Sequence, residues 1–64
     1  MDTVAIPFLK RAVELNPSYV DALANLALVA LRLEAEEEAS SYAARALAID
    51  PNNVLAQEIK RVLQ

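Results

Sequence analysis

Two prolines punctuate this chain in matching contexts, Leu15-Asn16-Pro17-Ser18 and Ile49-Asp50-Pro51-Asn52, and they stand 34 positions apart. Sliding the sequence by that interval sets Ala5 on Ala39, Arg11 on Arg45 and Ala12 on Ala46. It also pairs Phe8 with Tyr42, Val13 with Leu47, Leu15 with Ile49 and Asn16 with Asp50. Proline cannot continue a helix, and it pushes the residue before it out of helical geometry. Helices are therefore expected to stop near Leu15 and Ile49 and to restart after Ser18 and Asn52. The oxygens of those two side chains suit them to accept orphan backbone N–H groups as N-caps. Ser18 with Asp21 three residues on also approximates a capping box. A third proline, Pro7, falls inside the first predicted helix, about 3–15, close enough to its start to be tolerated. The last predicted helix covers about 54–63.

The middle of the chain has no such punctuation, because positions 20–49 hold neither glycine nor proline. Here the phase of the apolar stripe is informative. Leu23, Leu26, Ala27 and Ala30 form one face, and Ala39, Tyr42, Ala43 and Ala46 form another. Carried through at a helical 100° per residue, the two faces sit roughly a third of a turn apart. A helix serving one core would keep its stripe in phase, so a turn is expected near positions 33–36. That puts Glu36, Glu37 and Glu38 in the first turn of the next helix, where negative charge complements the macrodipole.

Composition agrees with an all-α fold and narrows the function. Of 64 residues, 56% are apolar, mostly alanine and leucine, and glycine is absent. Alanine and leucine are the best helix formers, and strand-type alternation appears nowhere. A chain this short buries only about 60% of its unfolded surface, so it needs support from outside its own core. The usual supports are missing: there is no cysteine for a disulfide and no histidine for a metal. The same absences argue against an enzyme. Ser40 and Ser41 have no histidine to activate them, and there is no glycine-rich phosphate loop. Glu36, Glu37 and Glu38 are consecutive on a helix and point in three directions, as a solvated helix start does. No catalytic, cofactor-binding or metal-binding residue is assigned. The net charge of −3 is scattered, without a basic stripe for nucleic acid. The longest apolar stretch, 20–33, is broken by Asp21, Asn25 and Arg32 and is too short for a membrane span. Without a secretory signal, a cytoplasmic address is the default expectation.

A 34-residue period with a helix–turn–helix in each unit resembles the tetratricopeptide repeat. The resemblance is closest over 20–53, where Leu23, Leu26 and Ala27 stand at the family's fourth, seventh and eighth places. Ala39 and Ala46 stand at its twentieth and twenty-seventh. The run from Ala46 through Pro51 to Asn53 looks like the family's common ending. Departures are Ala30 and Ala43 in place of large aromatics, and Glu34 in place of the turn glycine. The last helix, with Gln57 and Lys60 at apolar places, reads as a polar closing helix. The resemblance implies antiparallel helical hairpins stacked as a short solenoid, an α-α superhelix. Within one domain, 3–16 would be the second helix of a repeat, 18–53 a complete repeat and 54–64 the closing helix.

The resemblance also implies a binding face, since the first helix of each unit lines the inner groove in this family. The matching positions are Asp21, Ala24, Asn25, Leu28, Leu31 and Arg32, continued on the last helix by Leu55, Glu58, Ile59 and Val62. Independently of the family, Leu28 and Leu31 lie off the core stripe, so this helix is apolar on several sides and expects cover on several sides. Partner binding is assigned to Asp21, Asn25, Leu28, Leu31, Arg32, Leu55, Ile59 and Val62. The partner expected is a protein or peptide, with no nucleic acid and no membrane. Asn25 matches a residue that helps grip C-terminal carboxylates in chaperone-binding members. The cations that should accompany it are replaced by Leu55 and Ile59, so carboxylate clamping is not expected. Two other readings compete with a binding module. One is self-association into a homodimer, by stacking or by exchange of helices. The other is a fragment of a longer array with no independent activity.

Overall fold

The computed structural model describes residues 2–16 and 18–64, with side chains from Pro7 onward. Pro17 itself and the side chain of Ala5, both part of the 34-residue alignment, lie outside the described residues. Four helices occupy the described chain: α1 (Asp2–Leu15), α2 (Val20–Arg32), α3 (Glu36–Ile49) and α4 (Val54–Leu63). Among the described residues there is no strand. Consecutive helices fold back on one another, and α4 also leans on α2, so α2 touches all three of the others.

The two loops around the prolines repeat each other bond for bond. In the first, the Asn16 N–H donates to the Ala12 carbonyl (3.0 Å), Tyr19 N–H to the Asn16 carbonyl (2.9 Å) and Leu23 N–H to the Tyr19 carbonyl (3.0 Å). In the second, Asp50 N–H donates to Ala46 (2.8 Å), Asn53 N–H to Asp50 (3.1 Å) and Gln57 N–H to Asn53 (3.0 Å). Side chains join the pattern: Ser18 N–H donates to Asn16 Oδ1 (3.2 Å) and Asn52 N–H to Asp50 Oδ1 (3.1 Å). These Asx turns correct the expected caps. By holding the N–H of the residue after proline, Asn16 and Asp50 move the helix start one residue on. Tyr19 and Asn53 are the N-caps, not Ser18 and Asn52. Asn53 Oδ1 accepts from the Ala56 N–H at 2.9 Å, whereas Tyr19 offers no side-chain cap. The Ser18–Asp21 capping box is therefore not formed.

Pro7 lies inside the first helix, as expected. Because α1 begins at Asp2, Pro7 lies beyond the first turn of the helix. Its missing N–H deprives the carbonyl four residues earlier of a helical donor, and the helix nevertheless runs on to Leu15.

The phase break between the two apolar stripes becomes a tight turn. Leu33 closes α2, and Glu34 takes the left-handed conformation, with φ of 62°. The Glu34 N–H donates to the Leu31 carbonyl (3.0 Å) and the Ala35 N–H to the Ala30 carbonyl (2.8 Å). This is a Schellman ending, a geometry that favours glycine at the position Glu34 fills. Glu36, Glu37 and Glu38 then occupy the first turn of α3.

The core is built from small residues. Leu23, Ala27, Ala39, Ala43, Ala46 and Ala56 are wholly enclosed, with Leu26 and Ile59 nearly so. Alanines at Ala39, Ala43 and Ala46 leave α3 a smooth face against the leucines of α2. The core therefore gains from close helix approach rather than from large side chains. No described buried side-chain nitrogen or oxygen lacks a hydrogen-bond partner.

Candidate partner-binding surface

The predicted binding residues fall on α2 and α4, the two helices that begin after proline loops of the same design. A separation of 34 relates Asp21 to Leu55, Asn25 to Ile59 and Leu28 to Val62, so these pairs occupy equivalent faces of their helices. Helices α2 and α4 pack against each other. Asp21, Asn25 and Arg32 are exposed, and Leu28, Leu31 and Leu55 are partly buried against the core. Val62 stands out with 64% of its surface exposed.

Two of the groove residues do not present themselves to solvent. Ile59 is only 2% exposed and belongs to the core cluster, and Ala24 is equally enclosed. Ile59 is thus a floor beneath the surface rather than a free anchor. At the equivalent position of α2, Asn25 is exposed. Glu58 is exposed and pairs with Arg61 one turn on, a solvated pair that contributes little to stability.

Another opening lies elsewhere. Both α1 and α3 lean on α2, yet among the described residues they do not approach each other. The cleft between them encloses about 420 Å³, lined by Lys10, Val13 and Glu14 of α1, Leu26 of α2, and Tyr42 and Arg45 of α3. The Arg45 guanidinium lies 5.8 Å from the centre of the Tyr42 ring, within cation–π range. A smaller space of about 110 Å³ continues it past Ala30, Leu33 and Ala35 to Glu38. Reading the sequence for an inner groove missed this cleft. The smaller space had a signal in Ala30, where the family carries bulk: a missing side chain leaves room. Ala43, the other such position, opens nothing, because α2 and α3 close over it completely.

Among the described residues, no three acidic, histidine or cysteine side chains converge as a metal site. None of the described helices is long and apolar enough to cross a membrane.

A family model described as tetratricopeptide repeat matches residues 3–63. No curated protein and no solved structure matches the chain significantly. Repeats of this kind generally mediate protein–protein interaction and are typically non-catalytic. The helix order, the loops that recur at 34 residues and the extent of the match agree: the chain belongs to the tetratricopeptide repeat family.

Proposed function

We propose that the chain is a protein-binding module whose complete repeat, 18–53, and closing helix, 54–64, take a peptide or helix across the face shared by α2 and α4. Leu28, Leu31 and Leu55 supply apolar ground, and Val62 is the projecting anchor. Asp21, Asn25 and Arg32 form the polar rim that fixes orientation, and Ile59 supports the floor. One observation carries this reading. After α3 has covered Leu23, Leu26, Ala27 and Ala30, and α4 has packed alongside, Leu28 and Leu31 are still only partly covered. An α-helix that is apolar beyond its core stripe has surface left for a partner.

Titrating amphipathic peptides into isotopically labelled protein tests the proposal. Resonances of Leu28, Leu31, Leu55 and Val62 should shift together. Val62→Asp, at an exposed position that leaves the core intact, should weaken binding about tenfold, the effect of losing one apolar anchor. Shifts confined to Lys10, Tyr42 and Arg45 would instead assign binding to the α1–α3 cleft and overturn the reading.

A further inference from the structure

The three loops of this chain are not equally committed to turning. Those at 16–19 and 50–53 contain prolines, and their side chains lock them: Asn16 and Asp50 through Asx turns, Asn53 through its cap on Ala56. The loop between α2 and α3 has no such lock. Its hydrogen bonds are backbone to backbone, Leu33 N–H to Val29 (3.0 Å), Glu34 N–H to Leu31 and Ala35 N–H to Ala30. Neither Ala35 nor Leu33 contributes a side-chain cap. Leucine, glutamate and alanine, the residues of the turn, are all strong helix formers. Glu34 is the only non-glycine residue at positive φ among the described residues, a conformation its Cβ disfavours.

We propose that this turn is a hinge, and that the chain exchanges α3 and α4 with a second copy of itself by straightening at Leu33–Ala35 into one helix from Val20 to Ile49. Such a helix is about 45 Å long at 1.5 Å per residue. The folded molecule measures 27 × 24 × 16 Å, so a straightened chain cannot keep α3 on its own α2. Leu23, Leu26, Ala27 and Ala30 are uncovered on one segment, and Ala39, Ala43 and Ala46 on the other. What fits each of these faces is already known from the monomer: the other face, supplied by a second copy. The α2–α3 and α2–α4 interfaces of the monomer then re-form between chains, those of α1 with α2 and of α3 with α4 stay within one chain, and the left-handed residue is replaced by regular helix. One term opposes exchange. Glu36, Glu37 and Glu38 sit favourably at the N-terminus of α3, and a continuous helix forfeits that placement. The outcome is an equilibrium in which the exchanged dimer gains population with protein concentration.

The chain has no cysteine, so label pairs can be introduced cleanly. Spin labels on Ser18→Cys and Asn52→Cys, diluted into excess unlabelled protein, report distance within one chain. Exchange predicts a second population at about 45 Å, the length of the straightened helix, whose share rises with concentration alongside a dimeric mass. Glu34→Gly relieves the strain of the turn by about fivefold at each hinge, so with two hinges it should raise the dimer's Kd about 30-fold. Glu34→Ala keeps the strained turn and the helix preference and should leave Kd within about threefold. A strict monomer at millimolar concentration would overturn the proposal. So would a dimer whose intrachain distance stays short, or one indifferent to Glu34→Gly.

Discussion

Leu26 and Lys60 occupy the same position in two helices one 34-residue period apart, yet Leu26 is 2% exposed whereas Lys60 extends to donate a hydrogen bond to Ser40 Oγ at 3.1 Å. The contrast extends along the helix. Leu23, Ala27 and Ala30 on α2 correspond to Gln57 and Arg61 on α4 and to Gln64 just past its end, all of them exposed. The stripe that receives a following helix on α2 is thus rewritten in polar residues on α4, and Gln57 Nε2 is itself tied to the Pro51 carbonyl at 2.7 Å.

If this polar stripe closes the stack, restoring the apolar one should open it. The double substitution Gln57→Leu with Lys60→Leu is expected to leave the helical content unchanged and to make the protein associate with increasing concentration. Light scattering over a dilution series checks this. A variant that stays as monodisperse as the parent would mean that the end is closed by something other than these side chains.

Capping makes a sharp distinction between neighbours. Asn53→Ala removes the oxygen that accepts the Ala56 N–H and should lower stability by about 1 kcal/mol. Asn52→Ala, one residue earlier, removes a side chain that caps nothing, and should change stability by less than about 0.5 kcal/mol. Urea denaturation of the two variants resolves the difference.

One substitution at two alanines should have opposite signs. Ala30 borders the smaller space of about 110 Å³, so Ala30→Leu should fill it and raise stability by about 1 kcal/mol. Ala43 has no space around it, so Ala43→Leu should force α2 and α3 apart at a cost of about 1–3 kcal/mol. Thermal unfolding of both variants under identical conditions provides the comparison.

Dilute enough to be monomeric, the Glu34→Gly variant should unfold at higher temperature. Relief of a left-handed glutamate contributes about 1 kcal/mol, which in a domain of this size raises Tm by about 5 °C. Calorimetry at two low concentrations, giving the same Tm, verifies that the shift belongs to the monomer.

Much of the fold was legible because its loops announce themselves. The proline contexts fixed the period, and the phase slip between Leu23–Ala30 and Ala39–Ala46 located a turn that no breaker marks. The caps were misread by one residue because the governing contacts come from upstream: Asn16 and Asp50 hold the backbone just past proline, and only coordinates reveal that. Within the proposed binding face, the family resemblance placed Asp21, Asn25 and Leu28 on the inner side of α2. It could not tell that Ile59 is held inward, since burial depends on how closely α4 approaches α2. The α1–α3 cleft escaped for a related reason: it is an absence of volume between helices that never touch.

The two ends of the molecule differ in kind. On α1, Phe8 and Leu15 are 74% and 76% exposed, whereas the face of α4 that corresponds to the core stripe of α2 shows water Gln57 and Arg61. If that polar face closes the stack, growth by further units has a direction, with new helices laid against the α1 side and not against α4. Copies fused in tandem, α4 to α1, would meet at a mismatched joint each time. They should melt like beads on a string, each at the temperature of the single copy, instead of as one lengthening rod.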